Sequence, residues 1–143
     1  MGAAVRAVWP GITDEQLDSQ PGFYNDCKAW GDWMAERFLV PKVIEAIEAL
    51  DVEAILTHTT AGMDDSEVSW VKPSDLRDAA IRLQEAVESG HQGTKIILKT
   101  YALNANNVDT VEQEFTQDLS DIVALTKWAE EEGAMVMTLE VNW

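Results

Sequence analysis

The 143 residues are 46% hydrophobic and 25% charged, a balance that suits a folded domain and is too apolar for a disordered chain. Against 10 basic side chains stand 26 acidic ones, for a formal charge of -16. That charge argues against a nucleic-acid binder built on clustered Lys and Arg, and against an anionic membrane surface as partner.

The acidity is even along the chain, with 13 acidic and 5 basic groups in each of residues 1–72 and 73–143. No repeat or linker divides it, so one globular domain over 1–143 is expected. The start lacks the apolar core of a signal peptide, and Arg6 stands where a myristoylation motif needs Ser or Thr. No apolar run approaches a bilayer span. Cys27 is the single cysteine, so no intrachain disulfide can form. These features predict a soluble, cytoplasmic protein.

Thr13 before Asp14 and Glu15 predicts the cap of a short helix. From Phe23 to Leu39, the residues Phe23, Cys27, Trp30, Met34 and Phe38 recur at steps of three and four, one stripe of a helix. Pro41 ends or kinks that helix and can open the next. There Val43, Ile47 and Leu50 face inward, and Glu45 and Glu48 face away. Glu53 to Thr59 reads equally as a helix end or a strand. Ala61 to Ser66 reads as a loop, and Val68 with Trp70 as a short strand.

Pro73-Ser74-Asp75 opens a helix with Ser74 as its expected cap and Leu76, Ala79, Ala80, Leu83 and Val87 as its buried stripe. Asp78 and Arg82, four apart, can support each other. Gly90 is a natural stop. Thr94 to Leu103 fits a strand or a short buried helix, and we favour the helix. Val108 to Glu132 is the longest periodic segment, with Val111, Phe115, Leu119, Ile122 and Thr126 on one face, ending at Gly133. Met135, Met137, Leu139, Val141 and Trp143 alternate with mostly polar neighbours, as in a strand. Val68 to Val71 is its expected partner. The predicted fold is mainly α (α+β): about five helices and a small β element that includes the C-terminal strand. The alternative is α/β with a small sheet, should residues 94–103 form a strand.

Chemical motifs are sparse. Gly90 to Lys95 lacks the spacing of a phosphate loop, with Ile96 where Ser or Thr belongs. Cys27, on an aromatic stripe, reads as a small buried hydrophobe. His58 with Asp64, Asp65 and Glu67 is the best metal-like or enzyme-like group: an imidazole and carboxylates could hold a divalent cation or form a general base. His58 is the weak catalytic candidate of the set. No cofactor is implied.

The long helix carries a different signal. Glu114, Asp118 and Asp121 fall at i, i+4 and i+7, one acidic stripe beside the apolar face. Like charges at that spacing cost a few tenths of a kcal/mol, which a basic partner would explain. Trp128 and Leu125 lie toward this stripe, as an aromatic anchor ringed by acids would. Trp33, at the edge of its helix, is a second candidate contact. Trp9 and Trp143 are expected to tie down the chain ends.

The resulting expectation is a non-enzymatic acidic interaction module that binds a basic protein, as an inhibitor or adaptor. Its physical character is that of bacterial immunity proteins, which silence basic nuclease toxins; the analogy is one of composition, and no motif identifies such a family. The alternative is a small metal-dependent or His-based hydrolase using the 58–67 loop.

Overall fold

The computed structural model describes residues 4–21, 29–36, 40–60, 62–103 and 108–142. The predicted helix over Phe23 to Leu39 is seen as α2 (Ala29–Glu36), while Phe23, Cys27 and Phe38 lie outside the described residues. Trp143 does too.

The C-terminal strand is the spine of a three-stranded sheet. β1 (Ala4–Val8) runs antiparallel to β3 (Thr138–Asn142), pairing Val5 with Val141, Arg6 with Glu140 and Ala7 with Leu139. β2 (Thr59–Thr60) lies parallel on the other side of β3. The expected partner, Val68 to Val71, supplies only the Val71–Met137 bridge. It is hemmed in by a 3-10 turn at Asp65–Glu67 and by Pro73, whose ring ends extended pairing and opens a helix. Val5, Ala7, Leu139 and Val141 are buried, as the period-2 pleat of a one-sided sheet requires.

Beyond β1 the sheet stops at a side chain. The Gln20 amide accepts from the Ala7 N–H through Oε1 at 2.7 Å and donates to the Ala7 carbonyl through Nε2 at 2.7 Å. Gln20 is itself buried. Its amide thus satisfies two backbone groups that would otherwise be stranded in a dry environment.

The helices follow their signals. α1 (Asp14–Asp18) begins with a capping box, Thr13 accepting from the Gln16 N–H and Gln16 from that of Thr13. α3 (Pro41–Ala49) opens on Pro41 and buries Val43 and Ile47. A 3-10 turn over Glu53–Leu56 follows. α4 (Pro73–Glu88) starts on its proline with Lys72 in the cap position, so Ser74 is not the cap: it lies one residue inside the helix. Residues 94–103 hold α5 (Lys95–Tyr101), which removes the α/β alternative. α6 (Val111–Glu131) follows a 3-10 turn at Val108–Thr110. The fold is therefore mainly helical with a small sheet. No helix among the described residues is long and apolar enough to cross a membrane.

α4 and α6 make the most extensive helix contact. Leu76, Leu83 and Val87 of the first pack with Phe115, Leu119, Ile122 and Leu125 of the second in one buried cluster. Arg77 of α4 reaches Glu130 of α6 at 3.2 Å. Where α2, α5 and α6 meet, Trp30, Trp33, Tyr101 and Phe115 pack with ring centroids 4.9–5.9 Å apart, mostly edge to face.

Candidate functional site

The acidic stripe of α6 is core at Asp118 and only partly exposed at its other two acids. Asp118 is 4% exposed, and Leu125 and Trp33 are 0% exposed. The core arc of α6 is wide, spanning Phe115, Asp118, Leu119, Ile122, Leu125, Thr126 and Ala129, because the helix is packed from more than one side. Asp118 and Leu125 fall inside that arc, while Glu114 and Asp121 lie half-buried at its margin. The Tyr101 hydroxyl donates to Asp118 Oδ2 at 2.6 Å. Burial foremost, with the adjacent Asp118 carboxylate, raises the ionisation of Tyr101 well above the usual tyrosine range. The Trp33 indole N–H donates to Thr100 Oγ1 at 2.9 Å. Trp128 is half-buried and packs on Trp9, with centroids 5.3 Å apart. Three of the six residues expected to form a contact face are thus core. Asp118→Lys would place an ammonium in the core beside Tyr101, so its effect would report on folding and not on an interface.

The His58 group does not converge. His58 Nδ1 lies 3.1 Å from the Leu56 carbonyl oxygen, a local contact. Asp64, Asp65 and Glu67 are exposed on the turn that follows. Among the described residues, no three or more His, Cys, Asp or Glu side chains are grouped to hold a metal ion. His91 caps its own turn, Nδ1 accepting from the Gly93 N–H at 2.9 Å. Cys27 lies outside the described residues.

The structure instead gathers acids beside the end of α3. Helices α3, α4 and α6 end alike. In each, the second residue past the last turn donates back across the turn: Val52 to Ile47, His91 to Ala86, Ala134 to Ala129, at 2.9–3.2 Å. The residue before it donates to the carbonyl three back: Asp51 to Glu48, Gly90 to Val87, Gly133 to Glu130. This paired closure puts one residue in the left-handed region, where glycine belongs. Gly90 (φ 71°) and Gly133 (φ 91°) obey, while α3 places Asp51 there at φ 58°, the only non-glycine at positive φ among the described residues. Aspartate tolerates this conformation better than most side chains but pays more than glycine.

Asp51 stands at the lip of a cleft of about 310 Å³ between the 3-10 turn and α4. Among the described residues four carboxylates line it, Asp51 and Glu53 from the turn and Asp75 and Asp78 from α4, with Arg82 as the single cation. Asp75, Asp78 and Arg82 are three and four apart, hence on one helix face. Arg82 does not pair with Asp78 as spacing predicts. Its Nη1 donates to Asp51 Oδ2 at 3.1 Å, and the two side chains are 60% and 79% exposed. An ion pair that exposed adds little stability. The cleft thus keeps an excess of negative charge in a concave site, where low-dielectric walls focus the field.

Residue spacing does not reveal this site, because its two walls are distant in sequence. The readable signal was Asp51, an acid where the pattern of buried Ile47 and Val52 calls for a glycine.

No family model, curated protein or solved structure matches the chain.

Proposed function

We propose that this is a non-enzymatic interaction protein, an inhibitor or adaptor, whose acidic cleft between Asp51 and α4 receives a basic segment of a partner protein. The observation that carries the reading is that, among the described residues, the cleft sets four carboxylates against one guanidinium, in a chain of charge -16. A field of one sign speeds encounter with a cationic partner and selects against anionic ones, nucleic acid included. Asp51 supports it further: a glycine would close the helix with less strain but would leave the cleft without that carboxylate. The lone cysteine fits a reducing, cytoplasmic setting. No comparable convergence stands behind the hydrolase alternative around His58.

The test is capture from lysate of the native host on immobilised protein, eluted in a salt gradient, with two charge-reversed variants beside the wild type. Glu53→Lys with Asp78→Lys changes the cleft; Glu112→Lys with Glu131→Lys makes the same charge change on α6. The expected result is one basic protein that leaves at a defined salt step and is lost by the cleft variant alone. Equal loss from both variants would mean net charge, not the cleft, holds the partner. No loss from either would also end the reading.

A further inference from the structure

A second concavity lies over the outer face of the sheet and shares no residue with the acidic cleft. Arg6 and Glu140 are opposite each other across β1 and β3, on the side away from the buried Val5, Ala7, Leu139 and Val141. The Arg6 Nε donates to Glu140 Oε1 at 2.7 Å. This contact is single, not the two-pronged fork a guanidinium can offer a carboxylate, and the Arg6 terminal nitrogens take no other partner among the described residues. The pair forms the floor of a cleft of about 410 Å³, within the usual size of small-molecule sites.

Two turns build the walls, and each contains a glycine at positive φ that a side chain would strain. After β1 the chain turns through Gly11 (φ 89°), and the Ile12 N–H closes on the Trp9 carbonyl at 3.1 Å. After β2 it turns through Gly62 (φ 89°), and the Met63 N–H closes on Thr60 at 3.1 Å. The Trp70 indole donates to the Asp65 carbonyl at 3.2 Å, which fixes the ring beside that turn. Leu17, Met63 and Trp70 thus give the cleft apolar flanks, while Arg6, Glu140 and Asp65 give it charge.

We propose that this cleft binds a small zwitterion, a free α-amino acid with an apolar side chain. The terminal N–H groups of Arg6 donate to the carboxylate, the acids Glu140 and Asp65 attract the ammonium, and the apolar flanks cover the side chain. Charge decides between ligand classes. Among the described residues the lining carries one cation and two anions, so a lone anion meets net repulsion there, whereas a molecule with both charges finds both complements.

The test is titration of the intact ¹⁵N-labelled protein with leucine, methionine, phenylalanine and tryptophan, following the Trp70 indole and Arg6 Nε–H signals. The best ligand is compared with its N-acetyl and carboxamide derivatives. Saturable shifts are expected, weakened about tenfold or more by blocking either end and by Arg6→Gln. Met63→Glu, which leaves the Arg6–Glu140 pair intact, should abolish binding and keeps the test decisive if Arg6→Gln fails to fold. The proposal is overturned if no member of the panel gives saturable shifts, if a blocked derivative binds as well as its parent, or if folded Arg6→Gln binds unchanged. Capture of a basic protein through the other cleft is unaffected by any of these outcomes.

Discussion

The phenol of Tyr101 and the carboxylate of Asp118 meet at 2.6 Å inside a cluster of aromatic rings. The contact joins α5 to α6 and turns a helix-surface acid into a core residue. That donor is one of the hydrogen-bond partners that a buried carboxylate needs. Tyr101→Phe keeps the ring and removes the donor. It should lower stability by about 1.5–3 kcal/mol, the range for hydrogen bonds to charged groups. Urea unfolding followed by tryptophan fluorescence measures this, and a loss below about 0.5 kcal/mol would show that other groups already satisfy Asp118.

The same pair predicts an alkaline limit. Tyr101 ionises above its ordinary value of 10.0 when folded, because burial and Asp118 oppose a phenolate. The unfolded chain releases that proton near the ordinary value. Stability from this group is therefore full below about pH 10 and lost as pH rises beyond it, with a limiting slope of about 1.4 kcal/mol per pH unit. Comparing Tyr101→Phe with wild type isolates this contribution from the rest of the chain's alkaline response. The wild type should fall more steeply above pH 10, and parallel profiles would contradict the assignment.

Asp51 gives an opposite expectation for two substitutions at one site. Asp51→Gly relieves a left-handed residue and loses an exposed ion pair worth at most about 1 kcal/mol, so stability should rise slightly, by about 0.5 kcal/mol. Asp51→Val forces a β-branched side chain into the same φ and should cost more than about 1 kcal/mol. Chemical denaturation reads both. If Asp51→Gly is also weaker in partner capture, the carboxylate serves recognition at the expense of stability.

Net charge makes a separate prediction. Salt shortens the reach of repulsion among the surface acids, from about 30 Å at 0.01 M to about 3 Å at 1 M ionic strength. The melting temperature should rise by a few °C between ~0.02 and ~0.5 M sodium chloride, as ~1 kcal/mol of relieved repulsion would produce. Release of a basic partner should follow the same axis. A flat melting profile would mean the acids are spaced too far apart to burden the fold.

The sequence was most legible where structure is local. Thr13 and Gln16 form their box within one turn, and Gly90 and Gly133 stop their helices where they stand. The alternation from Met137 to Val141 specified β3. Its partner was not readable: β1 is five residues of valine, alanine and arginine, and Arg6 meets Glu140 across 134 positions. Asp118, Leu125 and Trp33 were misplaced for one physical reason. Periodicity marks the centre of a buried face, but neighbours set its width, and these residues lie in the part that other helices cover. The acidic cleft needed the approach of Asp51 to Arg82, which depends on how the turn after α3 lands on α4.

Gln20 sets the terms on which β1 can meet another molecule. By occupying the donor and acceptor of Ala7, its amide leaves an arriving strand no ladder to join at that point. Recognition along this side of the sheet must therefore work through side-chain shape and charge. Gln20→Ala would reopen the site, cost about 2 kcal/mol or more in unsatisfied backbone groups, and let one chain read another's edge as a template. Concentration-dependent sedimentation of that variant, absent in the wild type, would mark one glutamine amide as what separates a finished sheet from an extendable one.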